Sequence, residues 1–169
     1  DDPDMVKLIN DKLTNQEILH KARVHPMAVF FAYMTYKSGK GVRGSNCWTV
    51  NTTIANMLIN QTFKLCYKNV QPSGKRILVG LDISGSMNSP ILGNPIISCL
   101  DAMIAEALVI ASTEPDAIFL TFSTSATVVT FDASTTFDQA LAKIRGLNMG
   151  GTDCALPWLW AIKNGINID

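Results

Sequence analysis

The spacing of apolar positions changes near residue 72, and the change separates two kinds of structure. Before it, apolar residues recur every three or four positions, the period of helices with one face inside. Asp2-Pro3, a capping residue followed by proline at the first helical position, leads into Met5, Val6, Leu8, Ile9 and Leu13 and predicts a short helix. Thr14 and Glu17 stand at capping-box spacing before residues 18–22, and Pro26 opens a helix over 27–36 that stops at Gly39. A turn-rich stretch, 38–46, precedes a fourth helix predicted over about 52–67. There Ile54, Met57, Leu58, Gln61, Thr62, Leu65 and Cys66 share one face, while Ile59, Phe63 and Tyr67 make a second. A helix apolar on two sides needs neighbours on both, which suits the last helices of a stacked helical array.

Pro72-Ser73-Gly74 marks the boundary, giving segments 1–72 and 73–169. Beyond it strands and helices alternate: strand 76–82, helix about 95–113, strands 117–122 and 126–131, then helices about 135–145 and 155–164. Ile77-Leu78-Val79-Gly80-Leu81 has no polar alternation and reads as a central parallel strand buried on both faces, as does 117–122. Only three residues separate 122 from 126, so the third strand is expected to form an antiparallel hairpin with the second. The layout is α/β, doubly wound, with ligands expected at the carboxyl ends of the strands. Three strands make a thin sheet, and 165–169 reads as the start of another strand, so the domain is expected to be incomplete.

Composition bounds the possibilities. With 169 residues and 47% hydrophobic content the chain can bury a substantial core. No apolar run reaches the ~18 residues that cross a bilayer, and the acidic start Asp1-Asp2-Pro3-Asp4 does not read as a signal peptide. A soluble protein with no membrane partner is expected. Cys47, Cys66, Cys99 and Cys154 are scattered, with no C-x-x-C pair, and read as buried reduced thiols of a reducing compartment. The formal net charge is zero, but residues 1–76 hold 11 Lys and Arg against 5 Asp and Glu, and residues 77–169 hold 3 against 9. A basic half can meet phosphate and an acidic half can hold a cation, or the two can dock on each other.

The candidate chemistry centres on Asp82-Ile83-Ser84-Gly85-Ser86 at the end of the first strand. One carboxylate and two hydroxyls, spaced two residues apart on a tight loop, offer hard oxygen donors to a small divalent cation such as Mg²⁺. The competing reading is a polar turn whose hydroxyls cap helix ends. Serine nucleophile chemistry is disfavoured, because G-x-S-x-G is not matched and His20 and His25 lie in the other segment. An aspartyl-phosphate role for Asp82 lacks a second carboxylate at position 84. No enzyme is expected. Gly39-x-Gly41-x-x-Gly44 matches a dinucleotide fingerprint by spacing alone, since it follows a helix and not a strand. Its loop carries Lys37, Lys40 and Arg43, candidates for RNA phosphate contact, with a solvated loop as the plainer alternative. Trp48, Trp158 and Trp160 are expected to pack in cores or between modules, and His25 to be a structural residue ahead of Pro26.

Asp82-x-Ser84-x-Ser86 together with Gly150-Gly151-Thr152-Asp153 resembles the metal-ion-dependent adhesion site (MIDAS) of von Willebrand factor A domains. The resemblance implies a metal held by Asp82, Ser84, Ser86 and Thr152, directly or through water, with one place left for an acidic group of a protein ligand. The family's further aspartate, in a loop after the next strand, has no counterpart in residues 1–169.

His20-Lys21-Ala22-Arg23-Val24-His25-Pro26, the stretch Tyr36-Lys37-Ser38-Gly39-Lys40-Gly41-Val42-Arg43-Gly44 and Pro72-Ser73-Gly74-Lys75-Arg76 narrow this further. In order, they resemble the Ro ribonucleoprotein autoantigen family, in which a HEAT-like ring of helical repeats, the TROVE module, is closed by a von Willebrand A domain. What that resemblance implies is a C-terminal, truncated piece of an RNA-binding ribonucleoprotein component, cytoplasmic and also nuclear. The implied partners of the longer protein are small noncoding RNAs, Y RNAs among them, and misfolded RNAs in quality control. A von Willebrand A adhesion or scaffolding module without RNA binding is the alternative.

Overall fold

A computed structural model describes residues 2–169, and the chain divides into two compact units. One comprises the chain up to Gln71 together with Leu92–Ile97, the other Pro72–Ile91 and Ser98–Asp169.

The first unit is helical. α1 (Pro3–Leu13) starts at Asp2, whose side chain accepts from the Asp4 N–H. α2 (Gln16–Lys21) is capped by Asn15 Oδ1 accepting from Ile18 N–H, one residue later than the expected capping box. Thr14 instead closes α1, its hydroxyl turned back to donate to the Asn10 carbonyl. α3 (Pro26–Lys37) opens at proline as the sequence predicts, and ends before Gly39, whose φ of 69° suits a residue without a β-carbon.

The fourth helical stretch is not uniform. α4 (Thr52–Met57) passes into a π turn at Leu58–Thr62, a short α5 (Phe63–Leu65) and a 3₁₀ turn at Cys66–Asn69. The π turn rotates the chain so that Met57, Leu58 and Ile59, and then Phe63 and Cys66, are all buried. They join Leu19, Val29, Phe30 and Tyr33, with the Phe30 ring 6.1 Å from Phe63. Burial pushes the Cys66 thiol pKa up, whereas Cys47 and Cys154 are exposed, against the expectation of buried thiols.

The second unit is built on a three-stranded sheet ordered β1–β4–β5, with β1 at Ile77–Asp82, β4 at Ala117–Phe122 and β5 at Ala126–Val129. β1 and β4 run parallel and β4 and β5 antiparallel, as predicted. β4 is the buried strand: Phe119, Leu120 and Thr121 are all inside. β1 corrects the reading of a strand buried on both faces. It lies at the sheet margin among the described residues, with Ile77, Leu78 and Val79 half-buried and Gly80 exposed. A run of apolar residues specifies what a strand can bury, and the neighbouring strand decides whether it is covered.

Before the main helix, β2 (Pro90–Ile91) and β3 (Asn94–Ser98) form a short ribbon turning through Gly93 at φ 81°. The helix predicted from about residue 95 therefore begins later, as α6 (Cys99–Thr113), where Ser98 and Asp101 make a reciprocal capping box. α6 buries Leu100, Ile104, Ala105, Ala107, Leu108 and Val109. α7 (Phe137–Arg145) has its own capping box, Thr136 with Gln139. α8 (Leu156–Lys163) packs Pro157 towards the sheet: a β-carbon on Gly80 would lie 3.4 Å from both Pro157 and the Phe122 ring.

Trp158 on α8 is 64% exposed, not packed in a core. Trp48 does pack, stacked on Tyr36 with its indole N–H on the Tyr36 carbonyl. At the other margin of this unit, Glu114 accepts from the Ser73 and Gly74 N–H groups, and these bonds, Ser73 foremost, hold its carboxyl below the usual range.

Candidate functional site

The parallel register sets Asp82 of β1 beside Phe122 of β4, so both strands deliver polar loops to the same end of the sheet. From β1 come Asp82, Ser84 and Ser86. Asp82 Oδ1 accepts from the Ser84 N–H at 2.7 Å, which folds the chain back sharply after the strand. A 3₁₀ turn at Gly85–Asn88 then leaves the Ser84 and Ser86 hydroxyl oxygens 3.1 Å apart. Ser84 is only 2% exposed, while Ser86 is open.

From β4 comes Ser123, which the sequence reading did not single out. It is fully buried and holds the loop that follows α7 at two points: its hydroxyl donates to the Asn148 carbonyl, and its own carbonyl accepts from the Asp153 N–H. The Gly85 N–H reaches the Gly150 carbonyl of that loop at 3.4 Å, so the loop carrying Thr152 is tied to the turn carrying Ser84 and Ser86. Gly150 packs against Thr124 so closely that a β-carbon there would sit 2.7 Å from Thr124 Oγ1. The polar run Ser123-Thr124-Ser125 at a strand's carboxyl end was the available signal for these two residues.

Asp82, Ser84 and Ser86 are thus brought together by direct bonds. Thr152 is exposed, between the loop's two tether points at Gly150 and Asp153. Asp153 is occupied in accepting from the Ala155 N–H ahead of α8.

The donor set suits a small hard cation in kind. Two hydroxyls 3.1 Å apart share a hydrogen bond here, and the same separation is close to the edge of about 3.0 Å that octahedral coordination at ~2.1 Å requires. No group of three or more His, Cys, Asp or Glu side chains capable of holding a metal occurs among the described residues. Asp82 contributes a carboxylate to this oxygen cluster, oriented by the Ser84 N–H.

The basic candidates lie elsewhere. Lys37 ends α3, its ammonium donating to the Tyr33 hydroxyl at 3.0 Å and lying 5.3 Å from that ring's centre. Lys40 and Arg43 are exposed in a hairpin-like loop closed by Trp48 N–H to the Gly39 carbonyl and Gly41 N–H to the Asn46 carbonyl. Lys40 and Arg43 share one exposed loop, whereas Lys37 is tied to Tyr33 of its own helix. No helix of the described residues is long and apolar enough to cross a membrane.

The close approach of Gly150 to Thr124 gives a direct test of the loop clamp. Gly150→Ala is expected to destabilise by about 1–3 kcal/mol through overpacking, measured by urea denaturation. Thr124→Ala combined with Gly150→Ala should recover most of that loss, since it removes the Oγ1 and Cγ2 atoms at 2.7 and 2.9 Å. A double variant no more stable than Gly150→Ala alone would show that the contact does not set the loop's position.

Comparison with known proteins now bears on both units. Residues 76–169 match the family profile described as the Ro60 vWA domain. The "RNA-binding protein RO60" of Deinococcus radiodurans is 33% identical over 165 residues, covering 97% of this chain and 31% of that protein. The "RNA-binding protein RO60" of Caenorhabditis elegans is 33% identical over 168 residues, covering 99% of this chain and 26% of that protein. The chain therefore spans less than a third of the length of these curated relatives. The crystal structure of Deinococcus radiodurans RO (RSR) protein superposes with a TM-score of 0.88 at 33% identity, covering all of this chain and 34% of that one. With more than half of its length matched by that profile and the α/β fold shared, this chain belongs to the Ro60 family, and residues 76–169 are its von Willebrand A domain.

Proposed function

We propose that the chain is part of an RNA-binding protein of the Ro60 class, with the helical unit contributing to the RNA-binding body. The observation that carries this reading is the extent of the likeness. Identity of 33% runs over 97–99% of the chain, through the helical unit as well as the α/β unit, in relatives named as RNA-binding. A free-standing von Willebrand A adhesion module would not account for the helical half.

The partners in this reading are small noncoding RNAs of the Y type and misfolded RNAs, the helical unit being the last part of a TROVE ring. Lys40 and Arg43, with Lys37 at the helix end beside them in sequence, are the loop's candidates for phosphate contact. No catalytic role is assigned to any residue.

At the sheet end we propose a divalent cation, Mg²⁺ in kind, held by Asp82, Ser84, Ser86 and Thr152. The ion would supply a localised positive charge able to attract an acidic group on a protein ligand. Asp82 provides the balancing carboxylate, and the Ser84 N–H on its Oδ1 fixes the orientation of that group. The buried Ser123 keeps the Thr152 loop against the turn.

RNA binding is tested on the full-length protein by fluorescence anisotropy with a structured small RNA. Binding at about 50 mM salt that weakens steeply towards 200 mM is expected for phosphate contacts. No affinity at the lower salt would overturn the RNA reading and leave the protein-interaction module. For the metal, tenfold excess of Mg²⁺ over its Kd should raise stability by about 1.4 kcal/mol, and Ser86→Ala, at an exposed position, should abolish the rise without unfolding the domain. An identical rise in Ser86→Ala and Ser84→Ala would remove the site.

A further inference from the structure

The turn after α2 holds an unusual residue. α2 ends in a Schellman pattern, with Val24 N–H on the Leu19 carbonyl and Arg23 N–H on that of His20. The position that glycine normally takes in this pattern is Arg23, at φ 50°, the one non-glycine residue at positive φ among those described. A β-carbon is unfavourable there, and glycine would close the turn more easily. The Arg23 side chain is exposed and makes no ion pair among the described residues, so no salt bridge among them offsets that strain.

Asn69 holds the turn rigidly. Its Nδ2 donates to the carbonyls of Leu19 and Val24, at 3.2 and 2.9 Å. Both amide hydrogens being engaged, its Oδ1 is an acceptor, and it meets His20 Nδ1 at 2.9 Å. His20 is therefore the donor through Nδ1, and in the neutral ring Nε2 is left as a bare acceptor. His20, Arg23 and Asn69 together line an open hollow of ≈ 230 Å³.

The surrounding charge has one sign. From Ile18 to Leu81 there is no Asp or Glu, while Lys21, Arg23, Lys37, Lys40, Arg43, Lys64, Lys68, Lys75 and Arg76 fall in that stretch. Such a segment draws polyanions, and a guanidinium fork fits phosphate oxygens in a way a lysine does not.

We propose that this hollow binds one phosphate–ribose unit of RNA, Arg23 donating to the phosphate and His20 Nε2 accepting from the ribose 2′-hydroxyl. The pairing of an anion donor with a hydroxyl acceptor is what separates RNA from DNA at a backbone contact. This inference rests on the reading of the protein as RNA-binding, and it adds a site outside the Lys37, Lys40 and Arg43 loop.

The experiment compares a single-stranded RNA oligonucleotide with its DNA counterpart by anisotropy, on the full-length protein at pH 8 over a salt series. Arg23→Gly suits the backbone at φ 50°, so its urea midpoint should match or exceed that of the parent. Its affinity should fall roughly tenfold for both oligonucleotides, with the log–log salt slope smaller by about 0.7. Arg23→Lys should keep the slope and lose part of the affinity. His20→Ala should weaken RNA several-fold and leave DNA unchanged. If the parent protein binds RNA and Arg23→Gly binds it with the same affinity and slope, the site is wrong although the RNA reading stands. If the parent binds neither oligonucleotide nor structured RNA, the RNA reading itself fails. Equal weakening of RNA and DNA by His20→Ala would overturn the ribose contact.

Discussion

The pairing of Asp82 with Phe122 across two parallel strands is the constraint on which the α/β unit depends. Parallel strands bring their carboxyl ends to one side, so two loops far apart in sequence must share that side. One provides a carboxylate and two hydroxyls, the other a buried serine. The carboxylate organises its own turn by accepting the Ser84 N–H, and the buried Ser123 hydroxyl fixes a third loop by holding the Asn148 carbonyl. A buried hydroxyl left without a partner is costly, so Ser123 and the loop stabilise one another. The candidate oxygen cluster is thus a product of sheet register before it is a product of ligand chemistry.

The helical unit depends on backbone satisfaction of a different kind. Asn69 closes the turn after α2 by donating to two carbonyls 50 and 45 residues away in sequence, and the π turn at Leu58–Thr62 lets one helical stretch bury residues on two faces. The first is long-range in sequence, the second local but irregular. Asn69 belongs to no local pattern that announces its role.

Much of the fold was legible because it rests on local rules. β1 and β4 are unbroken apolar runs, and Pro3 and Pro26 open helices where proline is tolerated. Asp82, Ser84 and Ser86 could be read as neighbours because they lie on one tight turn. The failures have physical causes. Thr14 satisfies the end of α1, leaving Asn15 to cap α2; the β2–β3 ribbon is too short and too rich in proline and glycine to show a strand period; and exposure of β1 and Trp158 depends on what lies beside them. Arg23 at positive φ could not be anticipated, because arginine carries no turn signal. The loop clamp at Ser123 joins residues 25 apart in sequence, beyond the reach of any spacing rule.

The central structural claim is that the turn after β1 and the loop after α7 form one cation-binding end. Amide NMR spectra of the full-length protein titrated with Mg²⁺ test it most directly. The account predicts shifts concentrated at residues 82–86 and 150–153, saturating together with a single Kd. Saturation without change at those residues, or shifts spread over exposed carboxylates such as Asp132 and Asp138, would contradict it.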